Sequence, residues 1–305
     1  SGTPLIAPRS AELDQILPDH YYPADTTDEI AAALEQLADP ATRERHSVPA
    51  RRHAHTHHTH RHRFEQLLQQ LDIPLNPPDR ISILLSTNRP DHIPHALDNI
   101  TRQNWPNKEL LLILHGQERF DLQQIRNTLQ QLPYPTRLIP CPATWTLGDC
   151  LNAGLDQATG KYITKMDDDD HYGPNHLTDI HTAHTYSNAH ITGKWSNVVY
   201  LSQRDLTIDW RVEKEEKFGP HIPGATALVE RDLVRRYRFG RVNRAVDSQL
   251  WDRMRADGCQ LYSTHRFGFI RVRHGQHTFQ FDDARFIGAS TGELRRGLDT
   301  STLSL

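Results

Sequence analysis

The chain has 305 residues, enough for about two domains at roughly 150 residues each. With 36% hydrophobic and 24% charged residues it can bury a core, which excludes wholesale disorder. The 35 Lys and Arg against 38 Asp and Glu leave a formal charge of −3, without the basic excess of a dedicated nucleic-acid binder. No apolar run approaches ~18 residues, so no transmembrane helix is expected. Ser1–Ala7 lacks the basic-then-apolar order of a secretory signal. Cys141, Cys150 and Cys259 form no paired or metal-binding spacing, which suits a reducing compartment. The expected location is the cytoplasm, free or peripheral at the inner face of a membrane.

Four stretches follow from composition: residues 1–72, a Pro-rich linker over 73–80, a main domain over 81–288, and a flexible Ser/Thr/Gly-rich tail over 289–305. In the first stretch Pro4–Ala7 reads as a short strand. Thr27 is expected to cap a helix with Ile30, Leu34 and Leu37 on its apolar face. A second helix is expected over 50–71, with Phe64, Leu67, Leu68 and Leu71 as its stripe. One strand and two or three helices cannot bury a sheet alone. The run of His53, His55, His57, His58, His60 and His62 has neither the Cys partners nor the spacing of a zinc finger, and is expected to be a solvated helix end.

The main domain alternates strand and helix. Ile81–Leu85 is a buried strand, and Asp91 is placed as the cap of a helix carrying Ile93, Leu97 and Ile100. Strand 109–114 precedes a helix with Leu122, Ile125, Leu129 and Leu132; strand 136–139 follows. Thr146 and Asp149 form a capping box on a helix faced by Leu147, Leu151 and Leu155, and strand 161–166 comes next. This order predicts an α/β fold, a mostly parallel sheet covered on both faces, with ligands at the carboxyl ends of its strands.

Asp167, Asp168, Asp169 and Asp170 stand at one such end. Four adjacent carboxylates repel one another, so the fold must supply a cation or hydrogen-bond donors. Hard oxygen ligands there suit Mg²⁺ or Mn²⁺. A solvated loop or a Ca²⁺ site is the plainer reading of such a run.

The segment from Ile81 through Ser86, Thr87, Asn88, Arg89 and Pro90 resembles the opening strand and nucleotide loop of glycosyltransferase family 2, of GT-A fold. Residues 146–160 are similar to that family's next-to-metal helix, with Asn152 in the place of its Asn, and residues 161–172 resemble its strand and DXD motif. The resemblance covers about 200 residues. It implies that Asp167 and Asp168 meet the donor nucleotide and that Asp169 holds the metal. Thr87, Asn88 and Arg89 would line the base and ribose pocket. Residues 221–226 resemble a small-residue turn on the acceptor side, so Gly224, Ala225 and Thr226 would meet acceptor. Val246-Asp247 resembles the pair whose Asp is the general base of an inverting transfer; capping of the following helix is the alternative reading of Asp247. His277 would complete the metal shell, with His274 as the local competitor. The family's second strand usually ends in Asp, where this chain has His115, and Leu151 stands where an Arg is frequent. Ser1–Ile6 and the following helices resemble the C-terminal end of a GT-B glycosyltransferase, the rest of which would lie upstream.

The function implied is metal-dependent, inverting transfer of a sugar from a nucleotide-diphospho-sugar to a hydroxyl of a glycan or other acceptor, in surface glycan assembly. The alternatives are a degenerate nucleotide- or glycan-binding scaffold and a sugar-phosphate nucleotidyltransferase. The latter would need a Gly-rich, Arg-containing loop after the first strand, which residues 86–90 lack. P-loop, dinucleotide and Gly-x-Ser-x-Gly patterns are absent, as is the Gln-x-x-Arg-Trp motif of processive synthases.

Overall fold

The computed structural model describes residues 2–274, 283–290 and 294–305. It divides into two compact units, residues 1–77 with residue 305, and residues 78–304.

In the first unit β1 (Ile6–Ala7) pairs in parallel with β2 (Tyr22–Pro23), and α1 (Ala11–Ile16) lies between them in sequence. Helix α2 (Thr27–Ala38) is capped by Thr26, one residue before the expected cap. The Thr26 hydroxyl accepts from the Glu29 amide, while Glu29 Oε2 accepts from the Thr26 amide at 3.1 Å. The helix expected over 50–71 is in fact two, α3 (Pro40–His57) and α4 (His60–Gln70), because Thr59 caps a new helix. The buried apolar residues here are Ala24, Ala33, Leu37 and Val48. The stripe expected to face inward on α4 is open instead, with Phe64 61% and Leu71 69% exposed.

The second unit holds an eight-stranded sheet in the order β11-β13-β8-β12-β6-β3-β4-β5. Its parallel half is β3 (Ile81–Thr87), β4 (Lys108–His115), β5 (Thr136–Cys141) and β6 (Tyr162–Lys165). Strands β3 and β4 are apolar on both faces because both faces are covered. Ile81, Ile83 and Leu85 pack with Ile93, Leu97 and Ile100 of α5 (Ile93–Thr101), while Leu84, Leu111 and Ile113 belong with Leu151 and Leu155 of α7 (Leu147–Gln157). Helix α6 (Leu122–Gln130) adds Ile125 and Leu129 to the first of these cores. At the far end from the acidic run, buried Glu109 accepts from the Ser82 hydroxyl (2.5 Å) and the amides of Thr159 (2.7 Å) and Gly160 (3.0 Å). It thereby ties three strands in register. Gly160 is required there, since a methyl group would meet the Arg80 carbonyl and Ser82.

The sheet is mixed, not simply parallel. The short β12 (Leu228–Glu230) lies antiparallel between β6 and β8 (Ile191–Gly193), so β8 runs in the direction of β6. Strand β13 (Leu261–Ser263) follows β8 in parallel, and β11 (Lys217–Gly219) closes the edge. The carboxyl ends of β3, β6 and β8 therefore emerge on one side. Helices α8 (His176–Ser187), α9 (Arg231–Tyr237) and α10 (Val246–Ala256) complete the layers.

A second sheet, β15-β10-β9-β14-β7, was not foreseen. It comprises β7 (His171–Tyr172), β9 (Asn197–Leu201), β10 (Leu206–Trp210), β14 (Phe269–Arg273) and β15 (Arg295–Arg296), beside the short α11 (Asp283–Gly288). Part of the expected tail is built into it. Arg295 and Arg296 pair with β10, Gly268 donates to the Thr302 carbonyl at 2.9 Å, and Leu303 is buried. Two expected caps also differ. Asp91 lies in a 3₁₀ turn (Pro90–His92) before α5, and α10 begins after Ala245, which takes a left-handed φ of 54° and leaves Asp247 inside the first turn.

Candidate active site

The acidic run leaves β6 beside the end of β3. Thr87 donates its hydroxyl to Asp168, and Arg89 holds the same carboxylate with its Nε (3.1 Å) and Nη2. Arg89 Nη2 also lies 2.9 Å from Asp169 Oδ2, which is 2.9 Å from His274 Nε2. Burial opposes the charge on Arg89, yet Asp168 and Asp169 outweigh it and its pKa is raised. Asn88 is exposed beside this cluster. Asp170 turns inward. Its carboxyl accepts from the Val272 amide (2.9 Å) and its carbonyl from His95 (2.8 Å) and Asn99 (2.9 Å). Burial, with Asp169 and Asp167 adding to it, pushes the Asp170 carboxyl well above the usual carboxylate range. The repulsion implicit in four adjacent acids is thus relieved by Arg89, by a lysine on Asp167, and by favouring the neutral form of Asp170.

That lysine is Lys165, the last residue of β6. Its Nζ is 2.7 Å from Asp167 Oδ1 and 3.4 Å from Asp247 Oδ2. One ammonium therefore bridges the acidic run and the first turn of α10. Burial alone would lower the Lys165 pKa, but the two carboxylates overcome this and raise it. The Asp247 carboxyl is raised by burial and by Asp167, against the pull of Lys165. Its side chain is 22% exposed, so water or a hydroxyl can reach it. Gly224 packs directly on it, and a methyl group at that position would overlap the Asp247 carboxylate. The turn Gly224–Thr226 is fixed from behind. The Asp167 amide donates to the Tyr172 hydroxyl (2.8 Å), which donates to the Ala225 carbonyl (3.0 Å). Thr226 Oγ1 accepts from the Lys194 amide (3.0 Å) and donates to the Pro223 carbonyl (3.1 Å).

Residues 82–236 match the profile of Glycosyl transferase family 2, more than half of the 305-residue chain. The chain belongs to glycosyltransferase family 2. Residues 1–69 match a separate profile described as glycosyl transferase-like, over the segment that resembles a GT-B end. An uncharacterized glycosyltransferase of Nostoc sp. is 23% identical over 207 residues, which cover 63% of this chain. The chain spans 62% of that relative's length. Among solved structures, the mannosyltransferase PcManGT of Pyrobaculum calidifontis, in complex with GDP-Man and Mn²⁺, superposes with a TM-score of 0.50 at 16% identity, covering 69% of this chain and 63% of its own. TarS 1-349 of S. aureus, in complex with UDP-GlcNAc, gives 0.51 at 14% identity, covering 69% and 64%. At these identities the likeness is one of fold, and the fold is the GT-A type.

The fold gathers Thr87, Arg89, Asp167, Asp168, Asp169, Gly224, Ala225 and Asp247 where the carboxyl ends of the central strands β3 and β6 emerge. It gives Asn152 a different setting. Its Nδ2 donates to the Phe239 carbonyl (2.9 Å) and its Oδ1 accepts from the Phe239 amide (3.0 Å), so the side chain pins the end of α9 to α7. His277 lies outside the described residues, while His274 stands beside Asp169. Asp247 does not cap α10, since its carboxylate faces Lys165 rather than the helix amides. His115, at the end of β4, bonds through Nε2 with the Trp145 carbonyl (2.8 Å). Sequence reasoning missed Lys165 and Tyr172. The available signal was a cation ending a buried strand, two positions before the first acid.

Among the described residues no group of three or more His, Cys, Asp or Glu side chains is arranged to hold a metal. That includes the His-rich stretch of α3 and α4. Asp169 Oδ2 and His274 Nε2 nonetheless lie 2.9 Å apart, bonded to each other, so a cation entering between them would meet a carboxylate oxygen and an imidazole nitrogen. Two protein ligands suit Mg²⁺ or Mn²⁺ when diphosphate and water oxygens fill the remaining positions.

Proposed function

We propose that the second unit is a metal-dependent, inverting glycosyltransferase that moves a sugar from a nucleotide-diphospho-sugar to an acceptor hydroxyl. The observation that carries this is the Lys165 bridge, which links the acidic run to a partly exposed Asp247 through one ammonium. A donor-binding motif and a proton acceptor on opposite sides of the molecule could not share a reactant.

Asp169 and His274 would hold Mn²⁺ or Mg²⁺, which would bind donor diphosphate oxygens and offset the charge gathering on the leaving nucleotide. Thr87, Asn88, Arg89 and Asp168 would line the nucleoside side, with Arg89 fixed by Asp168 in advance. The acceptor oxygen attacks the anomeric carbon, the bond from that carbon to the diphosphate oxygen breaks, and the hydroxyl proton passes to Asp247. Lys165 favours the ionised form of Asp247 against burial, and Gly224, with no side chain, leaves that carboxylate its place against the turn. The donors GDP-Man and UDP-GlcNAc bound by PcManGT and TarS support a nucleotide-sugar here. Surface glycan assembly is the role we assign to it, in a chain that also carries a glycosyl transferase-like segment over residues 1–69.

The test is incubation of the chain with a panel of radiolabelled nucleotide-sugars, with and without Mn²⁺. Release or transfer of labelled sugar only when the cation is added is the expected result. Tight binding without turnover across the panel would overturn the assignment and favour a scaffold.

A further inference from the structure

A second cluster begins at the carboxyl end of β8, on the same side of the sheet, and the transfer chemistry does not use it. Trp195 follows β8, whose carboxyl end emerges with that of β6, and its ring centroid is 6.3 Å from that of His221, which is three residues before Gly224. Around Trp195 and Trp210 stand three cations. The Arg211 guanidinium is 4.5 Å from the Trp210 ring and 5.6 Å from Trp195, Lys214 Nζ is 5.2 Å from Trp195, and the Arg271 guanidinium is 5.9 Å from Trp210. Arg271 is also close enough to the acidic run to pull down the Asp170 carboxyl, and both it and Arg211 oppose a charge on His221.

Two features mark this as more than a solvated basic face. The indole N–H groups of Trp195 and Trp210 are buried and have no hydrogen-bond partner among the described residues, although Trp195 is only 8% exposed. Arg211 holds a left-handed φ of 57°, a strained backbone for a residue with a side chain. Among the described residues no carboxylate lies within ion-pair distance of Arg211 or Arg271. Glu213 approaches Lys214 only to 3.8 Å, and Glu215 is taken up by Arg266 at 3.0 Å. Guanidinium groups laid on aromatic rings are pre-oriented for oxyanions.

We propose that this cluster binds an anionic group of the acceptor, so that the glycan's hydroxyl is delivered past Gly224 to Asp247. The ligand class is an acidic glycan, bearing phosphate or carboxylate. The proposal rests on the transferase reading for its purpose, but binding can be measured without turnover.

Isothermal titration of the full chain with three oligomers of matched length would decide it: a polyol phosphate, a uronic-acid oligosaccharide and a neutral oligosaccharide. At least one acidic oligomer should bind ~10-fold or more tightly than the neutral one, and the stronger of the two identifies phosphate or carboxylate as the source. The double variant Arg211→Gly, Lys214→Gln should erase that preference while nucleotide-sugar binding with Mn²⁺ stays unchanged. Glycine suits the left-handed backbone at 211, so the loss cannot be laid to a misfolded turn. Equal binding of acidic and neutral oligomers, or an unchanged preference in the variant, overturns the proposal. Loss of nucleotide-sugar binding in the variant also overturns it, by placing the cations on the donor. Acidic-oligomer binding in a chain that never turns over a nucleotide-sugar would leave this site standing and remove the transferase reading alone.

Discussion

The two ends of the site are built by different means. The donor end rests mainly on two short segments, Thr87 to Arg89 and the four consecutive acids, which leave neighbouring parallel strands, with His274 brought to Asp169 from 105 residues away. The acceptor end is assembled from afar, since Lys165, Gly224 and Asp247 meet only because β12 turns back between β6 and β8. Short motifs at neighbouring strand ends tolerate changes elsewhere in the fold, whereas a base positioned by long-range packing depends on every close approach around it.

The comparison can be broken most sharply at Asp247. Asp247→Asn removes the proton acceptor but keeps the shape, so turnover should fall by roughly 10³-fold. Nucleotide-sugar binding, followed by titration, should hardly change. Retained turnover would show that the acceptor end is not where the proton goes. At the donor end, Asp169→Asn should lower turnover by roughly 10²-fold and weaken donor binding only in the presence of Mn²⁺, a combination the Asp247 variant should not reproduce. Gly224→Ala tests the close approach itself. Its methyl group must displace the Asp247 carboxylate, and a misplacement of that size should cost up to about 10²-fold in turnover, with donor affinity kept. The smallest expected effect is on pH dependence. The folded Asp247 pKa is raised, so activity that needs its ionised form should fall, on acidification, at a higher pH than an ordinary carboxylate would give. Lys165 opposes that rise, so Lys165→Met should move the acidic limb of kcat/KM higher still. A limb that stayed in place or moved down would separate Lys165 from Asp247.

Acid should also weaken the second unit as a whole. Burial depresses the His221 pKa from 6.5 to about 4, with Arg271 and Arg211 adding to the effect. The unfolded chain takes up that proton first, so stability is complete above pH ~6.5 and is lost as pH falls toward the folded value. Thermal unfolding between pH 7 and 4 should show a falling midpoint, and His221→Gln should flatten part of that slope.

Much of the donor end could be read from residue order. The runs at 81–85 and 109–114 are apolar enough to be strands buried on both faces, and Thr146 with Asp149 announces its helix as a capping box. Of the second sheet only a strand over 267–272, now β14, is legible in the sequence, and the rest is hidden for a physical reason. Its strands are two to five residues long, too short for alternation to register, and they are held by neighbours distant in sequence such as Arg295 beside Thr207. The role of Asp247 was ambiguous for a similar reason. An Asp at the head of a helix looks like a cap, and only the left-handed Ala245 shows that the helix has already begun.

Alternation of apolar runs and capped helices determined the α/β class, and four acids after a buried strand determined where charge had to be balanced. Those are properties of neighbours along the chain, fixed by periodicity and by repulsion at short range. Which cations do the balancing, and that Asp247 shares Lys165 with Asp167, was decided only by tertiary structure. These contacts join residues up to 82 positions apart, Lys165 to Asp247, and sequence spacing carries no information about such distances until the sheet has closed.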